Sequence, residues 1–140
     1  MITGHDYVAE IGVTGLISDD DSRSEFLRKV ADDGHAKALI VNIDSPGGTT
    51  VGGETLYNDI RRVAERKPVV GVIRTLGTSA AYLAATATDH IISAESSLTG
   101  SIGVLIQTAQ FTGLLEKIGI SAEAIKSSPL KSTPSPYCSP

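Results

Sequence analysis

The sequence predicts an α/β fold built on a largely parallel sheet, and three observations carry that prediction. Short apolar runs alternate with stretches of helical periodicity, the pattern of repeated strand–helix–strand units with right-handed crossovers. The runs at 38–43 and 69–73 are apolar at consecutive positions, as expected of a sheet covered on both sides. Turn residues, above all Pro46-Gly47-Gly48, stand where such runs end.

The elements follow in order. Residues 7–13 read as a strand. Asp20-Asp21-Ser22 can cap a helix over 22–33, with Phe26, Leu27 and Val30 on one face. Residues 37–43 form the second strand. A helix over 53–66 places Leu56, Ile60 and Val63 for burial and turns Arg61, Arg62, Glu65 and Arg66 outward. A third strand covers 68–73, a short small-residue helix 79–86, and further strands 89–94 and 101–107. A helix over 111–118 and a strand over 122–125 complete the prediction. In such folds the working groups gather at the carboxyl ends of the strands. The Pro46-Gly47-Gly48 turn and the 75–79 turn both lie there.

The chain has 140 residues, enough for one domain with a real core, and 41% of them are hydrophobic. A net charge of −4 and the lack of any Lys/Arg run argue against a nucleic-acid partner. Cys138 is the sole cysteine, so the fold needs no internal disulfide. There is no signal peptide and no apolar run of about 18 residues that could span a membrane. The fold is expected to occupy residues 1–133, followed by a flexible Pro/Ser-rich tail at 134–140.

Asp44-Ser45-Pro46-Gly47-Gly48 requires the strand before it to stop and turn. Pro46 has no amide hydrogen and the glycines reach backbone angles closed to other residues. Amides released from the sheet in this way suit a carbonyl oxygen that becomes negative during acyl transfer. An ordinary strand-to-helix turn would use the same residues. Ser79 follows the third strand, in Thr78-Ser79-Ala80-Ala81-Tyr82, and opens a helix. A serine there is most often a cap. Beside the Pro-Gly-Gly turn it also reads as a nucleophile, with the Ala80 amide as a second oxyanion donor.

A serine nucleophile needs a base. His5 and His35 fall in the N-terminal arm and a turn, and His90 lies eleven residues beyond Ser79. Along a helix that is roughly 16 Å, beyond hydrogen-bond reach. Lys126 and Lys131 remain. A free lysine is a poor base, with roughly one in 2,500 neutral at pH 7, and burial that brings it near neutrality costs roughly 4 kcal/mol. Composition does not choose between the two lysines, and both could equally be solvated.

Four segments together carry a family resemblance: Asp44-Ser45-Pro46-Gly47-Gly48, Thr78-Ser79-Ala80-Ala81-Tyr82, Leu98-Thr99-Gly100-Ser101-Ile102-Gly103-Val104 and Lys126-Ser127-Ser128-Pro129-Leu130-Lys131. In order and spacing they resemble the signal peptide peptidase A family of Ser-Lys dyad proteases, over about residues 6–135. The resemblance implies a Clp protease/crotonase-like fold of repeated ββα/βαβ units. It makes Ser79 the nucleophile, Lys131 the general base and Ser101 the residue that positions the lysine. It gives Gly47 and Ala80 the oxyanion amides. Where the family more often has Ser-Gly-Gly-Tyr, this chain has Ser79-Ala80-Ala81-Tyr82, which keeps the amide. Gly48, Thr49 and Thr50 are expected to bind substrate, with Thr49-Thr50-Val51 as an edge for an added strand.

The implied function is a serine endopeptidase acting on signal peptide remnants and other unfolded segments, without metal or cofactor. The implied setting is a homo-oligomer at the bacterial cell membrane, with its protease domain on the outer face. Family members usually carry an N-terminal anchor and continue past the lysine, so the chain reads as a protease-core fragment. Two other readings use the same amides: a crotonase-type acyl-CoA enzyme, which needs no Lys131, and a non-catalytic homologue.

Overall fold

The computed structural model describes residues 4–110 and 121–126. The chain divides into two units, Met1–Gly100 and Ser101–Pro140.

The first unit holds β1 (Tyr7–Ile17), α1 (Asp21–Asp32), β2 (Ala36–Gly48), α2 (Thr50–Ala64), β3 (Val69–Thr78), α3 (Ala80–Thr86), β4 (His90–Ser93) and β5 (Leu98–Gly100). All its strand pairs are parallel, in the order β1-β2-β3-β4, with β5 also paired to β3. β4 runs beside Val70–Ile73 and β5 beside Leu76–Thr78, so two short strands take successive stretches of one neighbour.

Among the described residues the helical cover of the sheet lies on one face. In a strictly sequential strand order, right-handed crossovers bring every helix to the same face. Burial follows that asymmetry. Leu39, Val41 and Ile43 of β2 are fully buried, whereas the alternate residues Ala38, Ile40 and Asn42 are only half-buried. On β4, Ile91 and Ile92 point to opposite faces and both are exposed.

The core lies between this sheet and its helices. Leu27 and Val30 come from α1, Leu56, Ile60 and Val63 from α2, and Ala80, Ala81, Ala84 and Ala85 from α3. Each fully buried Leu, Ile or Val contributes about 1.5–3 kcal/mol. The alanines contribute less area but let α3 lie close to α2 and β2. Asp20 caps α1 by accepting the Arg23 N–H at 3.1 Å, so the helix starts one residue earlier than its periodicity suggests. At the other end of the sheet, the Tyr7 hydroxyl donates to Asp33 Oδ2 at 2.7 Å. That bond holds the Asp33 carboxyl below its ordinary range and raises the Tyr7 phenol.

Three strands extend beyond their predicted ends, among them β3, which runs to Thr78 where the sequence predicts a turn over 75–79. β1 runs on to Ile17, and β2 does not stop before the Pro-Gly-Gly turn. Leu16 pairs with Gly47 and Ile17 with Gly48, so the turn residues stay in register with β1. β5 was hidden in the sequence because it is only three residues long.

In the second unit, β6 (Leu105–Gln110) pairs antiparallel with β7 (Ser121–Lys126), from Leu105 opposite Lys126 to Gln110 opposite Ser121. β6 begins later than the predicted strand at 101–107. Ser101 and Gly103 both have positive φ, which a regular strand does not accept. The predicted helix at 111–118 lies outside the described residues, as do Lys131 and the tail at 134–140.

Candidate active site at the carboxyl ends of β2 and β3

Ser79 joins β3 to α3 in an unusual conformation, φ 57° and ψ −123°. Among the described residues, only Ser79 and Ser101 are non-glycine residues at positive φ. Both are site residues on the sequence pattern. Such a backbone costs roughly 1–3 kcal/mol and persists only where the surroundings enforce it. Those surroundings are visible. The Ser79 N–H donates to Gly100 O at 2.8 Å, and the Ser79 carbonyl accepts the Leu83 N–H at 3.0 Å, within the first turn of α3. The side chain makes no capping bond to that helix, so the common reason for a serine at this position does not apply. A sharp strand–turn–helix corner of this kind carries its central side chain out at the top of the sheet.

The Pro-Gly-Gly turn lies directly against this corner. Gly47 is buried with φ +99°. A Cβ placed on it would lie 2.8 Å from Ser79 Cβ, 2.8 Å from Thr78 O and 2.9 Å from Ala80 N. Only a glycine permits both that approach and that φ. Gly53 allows a comparable approach from α2. A Cβ there would stand 2.7 Å from Ala80 Cβ, so α2 holds the start of α3 at close range.

The amides of the turn point in different directions. The Gly47 N–H donates to Ser45 Oγ at 3.1 Å. Gly48 is the register partner of Ile17, and the Thr49 N–H donates to Ile17 O at 2.8 Å. In a parallel ladder this pattern turns the Gly48 N–H away from β1, toward the side where β3 lies. Gly48 is exposed.

Asp44 shapes the other half of the site. Ile43 pairs with Ile73 and Ser45 with Gly77, so Asp44 alone faces Arg74, Thr75 and Leu76. The bulge leaves a β3 amide without a ladder partner, and Asp44 Oδ1 accepts it from Leu76 at 3.1 Å. The register then resumes with Gly77, two residues before Ser79.

One predicted feature is overturned. The edge expected at Thr49-Thr50-Val51 is not a strand, because α2 begins at Thr50. Thr49 is its N-cap, and Thr49 Oγ1 accepts the Gly52 N–H at 3.0 Å. A threonine directly after a glycine pair is an ordinary helix start, and the helix takes up the backbone that a substrate strand would need.

The structure brings Gly47, Gly48, Ser79 and Ala80 together. Ser101 has φ 51° and is exposed, and Lys126 is the last residue of β7. Ser45 and the carboxylate of Asp44 were missed as site-building residues. The available signal was a hydroxyl two residues before a glycine in a turn, which readily accepts that glycine's N–H. No cluster of metal-binding side chains occurs among the described residues.

Peptidase family S49 matches residues 61–139, more than half of the chain and the segment that holds Ser79, Ser101 and Lys131. The chain belongs to this family. It is 40% identical over 103 residues to the chloroplastic serine protease SPPA of Arabidopsis thaliana, covering 72% of this chain and 15% of that protein. Among solved structures, a membrane-bound stomatin-specific protease superposes with a TM-score of 0.61 at 18% identity, over 76% of this chain and 53% of the other. An enoyl-CoA hydratase/isomerase family member reaches a TM-score of 0.58 at 14% identity, over 68% and 47%. At such identities the two structures share the fold, which is Clp protease/crotonase-like. The S49 chain spans less than half the length of the curated relatives it matches. No helix among its described residues is long and apolar enough to cross a membrane.

Proposed function

We propose that this S49 chain is the catalytic core of a serine endopeptidase in which Ser79 is the nucleophile. The observation that carries this reading is the Ser79 corner itself: a strained, non-capping serine packed against Gly47 and Ala80. Ser79 Oγ attacks the carbonyl carbon of a peptide bond. The oxygen that becomes negative is met by two amides, one from Ala80 and one from the Pro-Gly-Gly turn. Because the Gly47 N–H is already donated to Ser45 Oγ, Gly48 rather than Gly47 is assigned as the turn's donor. Gly47 serves by having no side chain. Removing one such donor costs about 10²–10³-fold in rate.

Lys131 is proposed as the general base, by resemblance to the family. In its neutral form, Nζ takes the Ser79 hydroxyl proton and delivers it to the leaving amine. Water then hydrolyses the acyl-enzyme. Ser101 is proposed to position Lys131. Its positive φ supports a special role, since backbone strain concentrates at working residues. The substrates proposed are signal peptide remnants and other unfolded segments, cleaved at the bacterial cell membrane by a homo-oligomer with its protease domains on the outer face. The acyl-CoA reading shares the fold but is disfavoured by membership of a peptidase family.

A fluorophosphonate probe applied to the native full-length protein is expected to label Ser79. A folded protein left unlabelled would refute the nucleophile assignment. Lys131→Ala is expected to abolish turnover, and Lys126→Ala to reduce it less. The opposite ranking in a peptide-cleavage assay would move the base to Lys126.

A further inference from the structure

Ser45 is the one fully buried serine among the described residues, and its hydroxyl is used twice. It donates to Gly15 O at 2.6 Å and accepts the Gly47 N–H at 3.1 Å. A serine hydroxyl has a single proton, so donation to Gly15 leaves the lone pairs for Gly47 and fixes the rotor. Gly15 is itself a special position, with φ +65° at the register shift between Thr14 and Leu16 of β1. One side chain therefore ties an irregularity of β1 to the turn that faces Ser79.

We propose that Ser45 is a positioning residue for the oxyanion site: its hydroxyl decides which amide of the Pro-Gly-Gly turn faces the reacting carbonyl. By drawing the Gly47 N–H back toward β1, it fixes the rotation of the turn. The next peptide plane then has its carbonyl on the β1 side and the Gly48 N–H on the opposite side, because C=O and N–H are antiparallel across a trans peptide. Without the hydroxyl, the Gly47 N–H and the Gly15 carbonyl both lose a buried partner. The turn can then rotate to recover them, and a rotation that helps Gly47 misdirects Gly48. Pro46 cannot compensate, since it has no N–H to offer. This inference rests on the peptidase reading of the site. It assigns to Ser45 an effect on the transition state beyond the stability that any buried hydroxyl supplies.

The test uses the native full-length protein and three substitutions at Ser45. Ser45→Cys fills the same space with a much weaker donor and acceptor, Ser45→Ala removes the group, and Ser45→Thr keeps the hydroxyl. The readouts, all corrected for folded fraction, are kcat and KM on an unfolded peptide and the affinity of a peptidyl boronate, whose adduct places an oxygen where the oxyanion forms. Ser45→Cys is expected to lower kcat and boronate affinity in parallel, by roughly 10–100-fold, with KM changed less than about twofold. Ser45→Thr is expected to restore both. If the cysteine variant does not fold, Ser45→Ala takes its place with the same expectation. Wild-type kcat and boronate affinity in a folded Ser45→Cys or Ser45→Ala protein would overturn the proposal, even if the melting temperature fell. Ser79→Ala runs alongside: if it cleaves as well as the wild type, the peptidase reading itself falls. If Ser79→Ala is inactive while the Ser45 variants are unaffected, only the role of Ser45 falls.

Discussion

Thr49 and Ser79 stand at matching points of the sheet, each after the last residue of a parallel strand and before the first residue of a helix. Thr49 takes the relaxed solution, with φ −72°, ψ 151° and its Oγ1 on the Gly52 amide. Ser79 takes the strained one, with φ 57°, ψ −123° and no capping bond to α3. The strand-to-helix connection therefore does not require strain in this fold. The cost at Ser79 is offset by the Gly100 carbonyl on its N–H and by the bare glycine at position 47, and what it produces is a particular placement of one hydroxyl. Thr49 ends the neighbouring strand and stabilises its helix. Ser79 gives up that contribution.

The contrast can be broken most severely at Gly47. In Gly47→Ala, the new methyl would meet Ser79 Cβ, Thr78 O and Ala80 N at under 3 Å while the backbone stays at φ +99°. A loss of about 2–4 kcal/mol is expected in chemical denaturation, and peptide cleavage should fall by more than about 100-fold. Normal cleavage would show that the turn and the Ser79 corner are not held against each other.

Next in size is a pair of substitutions with opposite signs. Thr49→Ala removes a cap and should destabilise by about 1 kcal/mol. Ser79→Gly removes no cap and relieves a strained φ, so it should stabilise by about 0.5–1 kcal/mol while removing the proposed nucleophile. If both variants destabilise equally by thermal melts, Ser79 is an ordinary cap after all.

The smallest effect is expected at the opposite end of the sheet, where Tyr7→Phe acts as a control. The Tyr7 hydroxyl holds the Asp33 carboxyl below its ordinary range. A lowered carboxylate contributes stability that is present above its unfolded value and lost as the pH falls through the folded one. Tyr7→Phe should therefore soften the acid limb of the stability profile slightly, with cleavage near neutral pH unchanged. A change in cleavage would mean that the two ends of the sheet are coupled.

Much of this arrangement was legible from residue spacing. The helical repeat of Leu56, Ile60 and Val63 placed α2, and the apolar run before Asp44 placed β2 in the core. Gly47 meets Ser79 and Ala80, as expected of two motifs at the carboxyl ends of adjacent strands, although residues 46–48 and 75–78 are strand rather than turn. Other features depend on partners far along the chain. The continuation of β2 through Pro46-Gly47-Gly48 rests on a bond from Ser45 to Gly15, thirty residues away. The one-sided cover of the sheet depends on strand order, which local periodicity does not encode. The strand edge expected at Thr49-Thr50-Val51 gave way to a helix because Thr49 caps one there, while the glycines at 52 and 53 cost helix propensity but each admit a close neighbour.

The bulge opposite Asp44 has a consequence for how this segment can vary in length. Between Ile73 and Gly77, β3 carries three residues against one of β2, an excess of two. Side chains of a strand alternate with a period of two, so a whole pair of extra residues leaves the downstream parity intact. One residue gained or lost there would reverse the face on which Gly77, Thr78 and the corner beyond them project. Two would keep it and change only the size of the loop that Asp44 ties down. This stretch is thus a spacer that counts in pairs, and natural length variants of the segment should differ by even numbers.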